Sequence, residues 1–169
     1  MRSPPSVSQQ ASALAALLDA YAKPLGGCAR ALAGMSHLWE EMNTVTEAPR
    51  ILVVCGGEVS RGGFDKAYTQ HRVDRQWTVV VMREHGWKNA VAEAAGANDK
   101  PFYDVLEEVR DLLRANSHLV SEELPVDYKG WEPIPNLAPS RVAGVFVDGA
   151  AVRFSTANDI PGVAFDSNA

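Results

Sequence analysis

The sequence predicts an α+β fold, an α/β sandwich in which a mainly antiparallel four-stranded sheet carries helices packed on one face. Three observations indicate this class. Residues Arg72 to Glu84 alternate apolar and polar side chains, as a half-buried strand does, and Phe102 to Arg114 place apolar side chains at helical spacing. Two further apolar runs flank Asp148-Gly149. The predicted order is helix, weak element, strand, strand, helix, strand, strand.

The N-terminal helix is predicted from leucines that recur at helical spacing up to Tyr21. Ser8 or Ser12 is the predicted N-cap, and Pro24 with the glycines that follow it ends the helix. The next segment, Cys28 to Met42, has two interpretations, a second helix weakened by its glycine or a short strand. It is therefore the weak element in the predicted order.

The strands are predicted from apolar runs bounded by turn residues. Ile51 to Cys55 is a continuous apolar run that ends at two glycines, which is typical of a buried strand. Asp148-Gly149 suits the positive φ angles of a type I′ turn, so residues 141–156 are predicted to fold back as a β-hairpin. Long loops are predicted between the elements, at 58–72, 85–100 and the four-proline segment 117–140.

The length and composition indicate one domain of ordinary globular character. The chain has 169 residues, of which 46% are hydrophobic and 22% charged. We expect a flexible N-terminal arm at 1–7, a single domain at 8–160 and a C-terminal tail at 161–169. The formal net charge of -5 gives no general attraction to nucleic acid or anionic lipid. No apolar run is long enough to predict a membrane span.

No pattern of side chains predicts a catalytic residue, a cofactor or a bound metal. The four histidines lack metal-ligand spacing, and Cys28 and Cys55 are predicted to be buried, reduced thiols. Gly56 to Gly63 follows an apolar strand, as phosphate-binding loops do, but it lacks the Lys-Ser/Thr pair of a P-loop and the GxGxxG spacing of a dinucleotide fold. A small nucleotide-binding enzyme using this loop is the alternative from another class of protein.

Candidate contact residues lie on the predicted loops. Residues 58–75 include four basic and three acidic residues, so the net charge of this segment is +1. This charge is low for a nucleic-acid surface and more typical of a solvated or subunit-facing surface. Tryptophans on loops either pack on the core or anchor an interface, where Trp and Arg are enriched. The candidates for subunit or lumen contacts are Arg61, Lys66, Arg72, Arg75, Trp87 and Trp131.

The predicted N-terminal helix is followed along the chain by the segments Pro49–Val54, Trp77–Val81 and Phe102–Arg114 and by the run Val145–Thr156. In this order of elements the chain resembles the tail terminator or tail-completion proteins of long-tailed bacteriophages. The likeness is one of element order and residue character over a large part of the chain. It implies a small domain with a sheet flanked by helices and no catalytic residues. Another neck or tail-tube component is the alternative within the same class.

The resemblance further implies a virion protein that forms a hexameric ring at the head-proximal end of the tail tube, stops tube growth and joins the tail to the neck. Its partners would be copies of itself, the tail-tube protein and the head-side connector, with DNA passing through the lumen. Such a protein is made in the host cytoplasm and resides in the virion.

Overall fold

The computed structural model describes residues 5–42, 48–61, 70–86, 100–116, 127–134 and 145–161. Within these ranges the chain forms a mixed α+β fold built on one five-stranded sheet. The helices are α1 (Val7–Ala22), α2 (Leu38–Met42) and α3 (Phe102–Ala115). The strands are β1 (Cys28–Leu32), β2 (Arg50–Ser60), β3 (Gln70–Gly86), β4 (Asp127–Pro133) and β5 (Val145–Pro161).

The sheet has the order β1-β2-β3-β5-β4, and β1 lies parallel to β2 while all other neighbours are antiparallel. The predicted four-stranded antiparallel sheet is thus only roughly matched. The ambiguous segment Cys28 to Met42 contains both β1 and α2, and the return through α2 makes β1 and β2 run in the same direction. The other unforeseen strand, β4, lies inside the proline-rich segment predicted to be an irregular loop.

β5 passes straight through Asp148-Gly149, so the predicted turn is wrong. Gly149 lies opposite Met82 of β3 in an antiparallel register that continues through all 17 residues of β5. The two apolar runs are therefore halves of one strand rather than two strands of a hairpin. Seventeen cross-strand pairs with β3 outweigh the local preference of Asp-Gly for a turn.

One face of the sheet is covered by α1 and α3. At its centre Trp77 of β3 stacks on Phe154 of β5, with ring centroids 6.5 Å apart, and both side chains are fully buried. The Trp77 indole N–H donates to Thr156 Oγ1 at 3.0 Å, which satisfies the one polar atom of the ring. The other buried side chains of this core include Leu14, Leu18, Ile51, Val53, Val79, Val81, Val105, Leu106, Val109, Leu113 and Val152.

The opposite face carries a smaller core beneath α2, where Leu38 packs on Leu52, Val80 and Met82. Glu41 of α2 is 95% buried, since its relative exposure is 5%. Its carboxylate accepts hydrogen bonds from the Arg50 guanidinium of β2, at 2.9 Å from Nε, and forms an ion pair with Arg30 of β1. Two arginines thus fix this five-residue helix to the parallel pair of strands.

The helix α1 begins two residues before the predicted start, at Val7. Its N-cap is Ser6, whose side chain accepts from the Gln9 backbone N–H while the Gln9 side chain accepts from the Ser6 N–H. The predicted caps, Ser8 and Ser12, instead lie inside the helix. The end of the predicted flexible arm is therefore part of the capped helix.

A polar contact joins α1 to α3. The Tyr21 hydroxyl donates to Glu108 Oε2 at 2.6 Å, and Lys100 Nζ donates to both oxygens of the same carboxylate. Partial burial alone would raise the pKa of the Glu108 carboxyl, but the hydrogen bonds from Lys100 and Tyr21 outweigh it and hold this pKa below its usual value. Burial and the Glu108 charge raise the pKa of the Tyr21 hydroxyl, which therefore stays protonated.

Two β-bulges lie on the same cross-strand row of the sheet. In β2 the register shifts between Cys55 and Gly57, and in β4 it shifts between Tyr128 and Gly130. Gly57 and Gly130 have φ angles of 125° and 112°, a region that favours glycine. The row joining the two bulges runs through the central aromatic pair, in the order Cys55, Trp77, Phe154 and Tyr128.

Past this row the sheet continues as three strands, which we call the distal ribbon. It consists of residues 57–60 of β2, 70–76 of β3 and 155–161 of β5. Residues 56–60 are exposed, in contrast to the buried Ile51–Val54 of the same strand. The predicted loop at 58–72 thus begins and ends as paired strand, and the sheet presents a narrow extension at this end.

Candidate interaction surface

Each edge of the described sheet has a backbone position that opposes further strand pairing. In β1 the Cys28 N–H bonds to Pro49 O on the β2 side, so the next N–H, that of Ala29, points outward, where it donates to the Asp19 side chain at 3.0 Å. The hydrogen bond from the Ala29 N–H and the contact with Lys23 both lower the pKa of the Asp19 carboxyl. Asp19 therefore occupies a donor that a neighbouring strand would need.

At the other edge, β4 presents a proline. The Ile134 N–H donates to Gly149 O of β5 at 3.0 Å, so the preceding residue, Pro133, has its backbone nitrogen on the outer side. Proline has no N–H to donate, and the bulge at Gly130 further disrupts the outer side of the strand. Contacts at this edge are therefore left to side chains.

Arg61 and Arg72 lie together on the distal ribbon. The Arg61 N–H donates to Arg72 O at 3.1 Å, which places the two residues opposite each other on neighbouring strands. Each guanidinium is matched by a carboxylate of the ribbon: Arg61 Nε lies 2.5 Å from Asp74, and Arg72 Nε lies 2.9 Å from Asp159. The arginine side chains are 47% and 50% exposed, whereas Asp74 and Asp159 are 16% and 30% exposed. The surface that the ribbon presents to solvent is thus mainly guanidinium.

Arg75 does not belong to this surface, although the sequence pointed to it as a contact residue. Its side chain faces the helices and the residue is only 5% exposed. It donates to Glu58, to Pro5 O and to Gln10 Oε1, each at 2.7 Å. Arg75 therefore fixes the start of α1 to the sheet, which is a structural role.

The pKa of Asp159 provides a test of the ribbon contacts. The hydrogen bond from Arg72 lowers the pKa of the Asp159 carboxyl, so this pair stabilises the fold above the carboxyl pKa of the unfolded chain and is lost as pH falls through the folded-state pKa. We expect R72Q to raise the pKa of Asp159 toward the ordinary value of an aspartate, measured by NMR titration of its side-chain carbon. R153Q, which removes the partner of Glu132, is the matched control and should leave the Asp159 titration unchanged. An unchanged pKa in R72Q would contradict the assigned contact.

Trp131 lies on β4 and is 37% exposed. Its ring packs against that of Tyr103, the second residue of α3, with centroids 5.9 Å apart and planes at 37°. Tyr103 is 53% exposed, so the pair forms an aromatic patch open to solvent. The exposed residues Asp104 and Glu107 follow Tyr103 on the helix. We call these four residues the aromatic patch.

Sequence reasoning missed Tyr103, although a signal for it exists. The apolar stripe of α3 comprises Val105, Leu106, Val109 and Leu113, and Tyr103 falls outside it. An aromatic side chain on the polar side of an amphipathic helix is unusual unless it makes a contact elsewhere. Applied to Phe102–Ala115, this rule identifies Tyr103 as a further candidate contact residue.

The remaining candidates are not brought together. Lys66 and Trp87 lie outside the described residues. Gly56 and Gly57 form the β2 bulge, so the first part of the proposed phosphate loop is paired strand. Cys28 is exposed and Cys55 partly so, which makes the prediction of two buried thiols wrong. Across the described ranges no group of three or more His, Cys, Asp or Glu side chains is arranged to hold a metal ion.

Neither the models of known protein families nor the curated protein sequences match this chain. Among the helices of the described residues, none has the length and apolar character needed to cross a membrane.

Proposed function

We propose that this chain is a structural subunit of a long-tailed bacteriophage, a tail terminator or tail-completion protein that forms a ring at the head-proximal end of the tail tube and joins it to the neck. The proposal begins from the resemblance of the sequence to that family, in which an N-terminal helix, two strands and a further helix precede a terminal hairpin; that hairpin is a single strand in this structure. The observation that carries it furthest is the distal ribbon, a rigid extension built from the ends of β2, β3 and β5.

A projecting, hydrogen-bonded extension suits a ring subunit because head-to-tail rings are built from two different surfaces on each copy. The ribbon supplies one surface, at the exposed residues 56–61 and Arg72. The aromatic patch supplies a second surface of different chemistry, at the other side of the sheet. A protein with two such separated surfaces can contact a neighbour on each side.

The positions that oppose strand pairing at the two sheet edges favour the same kind of assembly. Asp19 at β1 and Pro133 at β4 oppose open-ended growth through strand pairing. Assembly through side-chain surfaces instead permits a defined rotation between copies, and a ring that closes has a fixed number of subunits. A terminator must itself stop at one ring, so this property suits the proposed role.

The test uses the purified full chain and purified tail tubes of a long-tailed phage. Analytical ultracentrifugation and negative-stain microscopy are expected to show rings, and added protein is expected to bind one end of each tube and stop its elongation. A protein that stays monomeric at high concentration and leaves tube growth unchanged would overturn the proposal. Rings that form but stack along or within the tube would favour the alternative, another tail-tube or neck component.

A further inference from the structure

We infer that the distal ribbon of one copy docks on the aromatic patch of the next copy, through Val59, Arg61 and Arg72 on one side and Tyr103, Trp131 and the acidic residues on the other. This inference rests on the proposed ring and names the contact that would build it. The occupant of the aromatic patch is thus a second copy of this chain.

Three exposed hydrophobic side chains support the apolar part of this contact. Among the described residues the large hydrophobic side chains that are exposed are Val59, Tyr103 and Trp131, at 56%, 53% and 37%. Tyr103 and Trp131 touch each other, and Val59 lies alone near the end of β2. A contact between copies that joins Val59 to the aromatic pair removes all three from water at once.

Val59 also lies on the same face of the ribbon as the two arginines. It stands opposite Asp74 in the β2–β3 register, and Arg72 is two residues from Asp74 on β3. Arg61 is two residues from Val59 and its side chain reaches Asp74. One face of the ribbon therefore combines an exposed apolar side chain with two half-exposed guanidinium groups.

The charges of the two surfaces are complementary. Arg61 and Arg72 are cross-strand neighbours of like charge, an arrangement that is unfavourable unless carboxylates surround it. Asp74 and Asp159 supply one carboxylate to each arginine from within the ribbon. Asp104 and Glu107 of the aromatic patch are exposed carboxylates of the opposite charge, and Glu107 lies one helical turn from Tyr103, on whose ring a guanidinium can also stack.

The distances within the sheet require the contact to be between copies. Trp131 is level with Val79 of β3, because both lie opposite Val152, and Val79 is seven residues from Arg72. Seven residues of strand span roughly 23 Å, and the three strand spacings from β4 to β2 add about 14 Å sideways. Both surfaces belong to one hydrogen-bonded sheet, so a single copy cannot bring them together. The contact is head-to-tail, the kind that closes into a ring.

The test is a charge exchange between copies, read by analytical ultracentrifugation and negative-stain microscopy of the full chain. R61E and E107R are made separately, with K23A, a change at a side chain 72% exposed just after the end of α1, as the control. Each charge reversal alone puts like charges across every contact, so we expect association about tenfold or more weaker than for wild type. Mixing the two variants restores an opposite-charge pair at every contact between unlike copies, and the mixture is expected to form rings again.

Thermal unfolding of each variant shows that weaker association does not come from a lost fold; R61E, which loses its ion pair with Asp74, is expected to unfold at a slightly lower temperature but in one cooperative transition. Rings of wild-type strength from both single variants, or a mixture that associates no better than either alone, would overturn this inference while leaving the proposed function standing. A wild-type chain that forms no ring would remove the proposed function, and this inference with it. Loss of rings in W131A with normal unfolding would support the apolar part of the contact.

Discussion

Replacing Trp77 with alanine is expected to lower the free energy of unfolding by about 3–5 kcal/mol, the range for deleting a large aromatic side chain from a core. Trp77 is 1% exposed and stacks on Phe154 at the centre of the helix-covered face. It also lies on the row that joins the two β-bulges, between Cys55 of β2 and Phe154 of β5. Urea unfolding followed by circular dichroism measures the change.

W77F is the matched variant for this prediction. Phenylalanine keeps most of the stacking on Phe154 but removes the indole N–H, and Thr156 then loses the donor 3.0 Å away. We expect W77F to cost clearly less than W77A, on the order of 1–3 kcal/mol, since a smaller void and a buried hydroxyl with one fewer partner contribute together. Equal losses in the two variants would show that the aromatic ring does not support the sheet in the way described.

Replacing Gly27 with alanine is the second change for which we expect a large effect, about 1–3 kcal/mol or more of lost stability. A Cβ atom on Gly27 would lie 2.0 Å from the backbone oxygen of Pro49. That oxygen cannot easily move, because it accepts the Cys28 N–H at the start of the β1–β2 pair. Gly27 is also held from the other side, where its own N–H bonds to Ala22 O at the end of α1.

G34A is the control for this change. Gly34 lies just past the other end of β1, and a Cβ atom there meets no atom within 4 Å. We therefore expect G34A to leave the urea midpoint nearly unchanged, while G27A lowers it. If G27A unfolded at the wild-type midpoint, the close approach of Gly27 to Pro49 would be wrong.

Local signals in the sequence were enough to predict the elements whose pattern agrees with their tertiary surroundings. The apolar stripe from Phe102, the alternation through Trp77 and the run Ile51 to Val54 each correspond to an element of the structure. In each case periodicity and burial favour the same conformation. The α+β class follows from these three segments alone.

The failures came where long-range pairing decides the conformation. Asp148-Gly149 favours a turn in isolation, yet it lies within an interior strand because β3 offers a partner along the whole of β5. Pro133 suggested a loop, but it is acceptable at the outer side of an edge strand. For the candidate surface, the sequence pointed to Arg61, Arg72 and Trp131, whereas the burial of Arg75 depends on which face of β3 the helices cover.

The position of β5 has a consequence for how the protein is made. It is the last of the five strands along the chain, yet it lies between β3 and β4 in the sheet. Until β5 has left the ribosome, β4 has no partner strand and the side of β3 facing β5 is unpaired. A chain cut short before Val145 could pair β1, β2 and β3 but could not hold Trp131 in place. If copies assemble as we propose, translation has to pass beyond this strand before a copy can offer the surface around Trp131 to a neighbour.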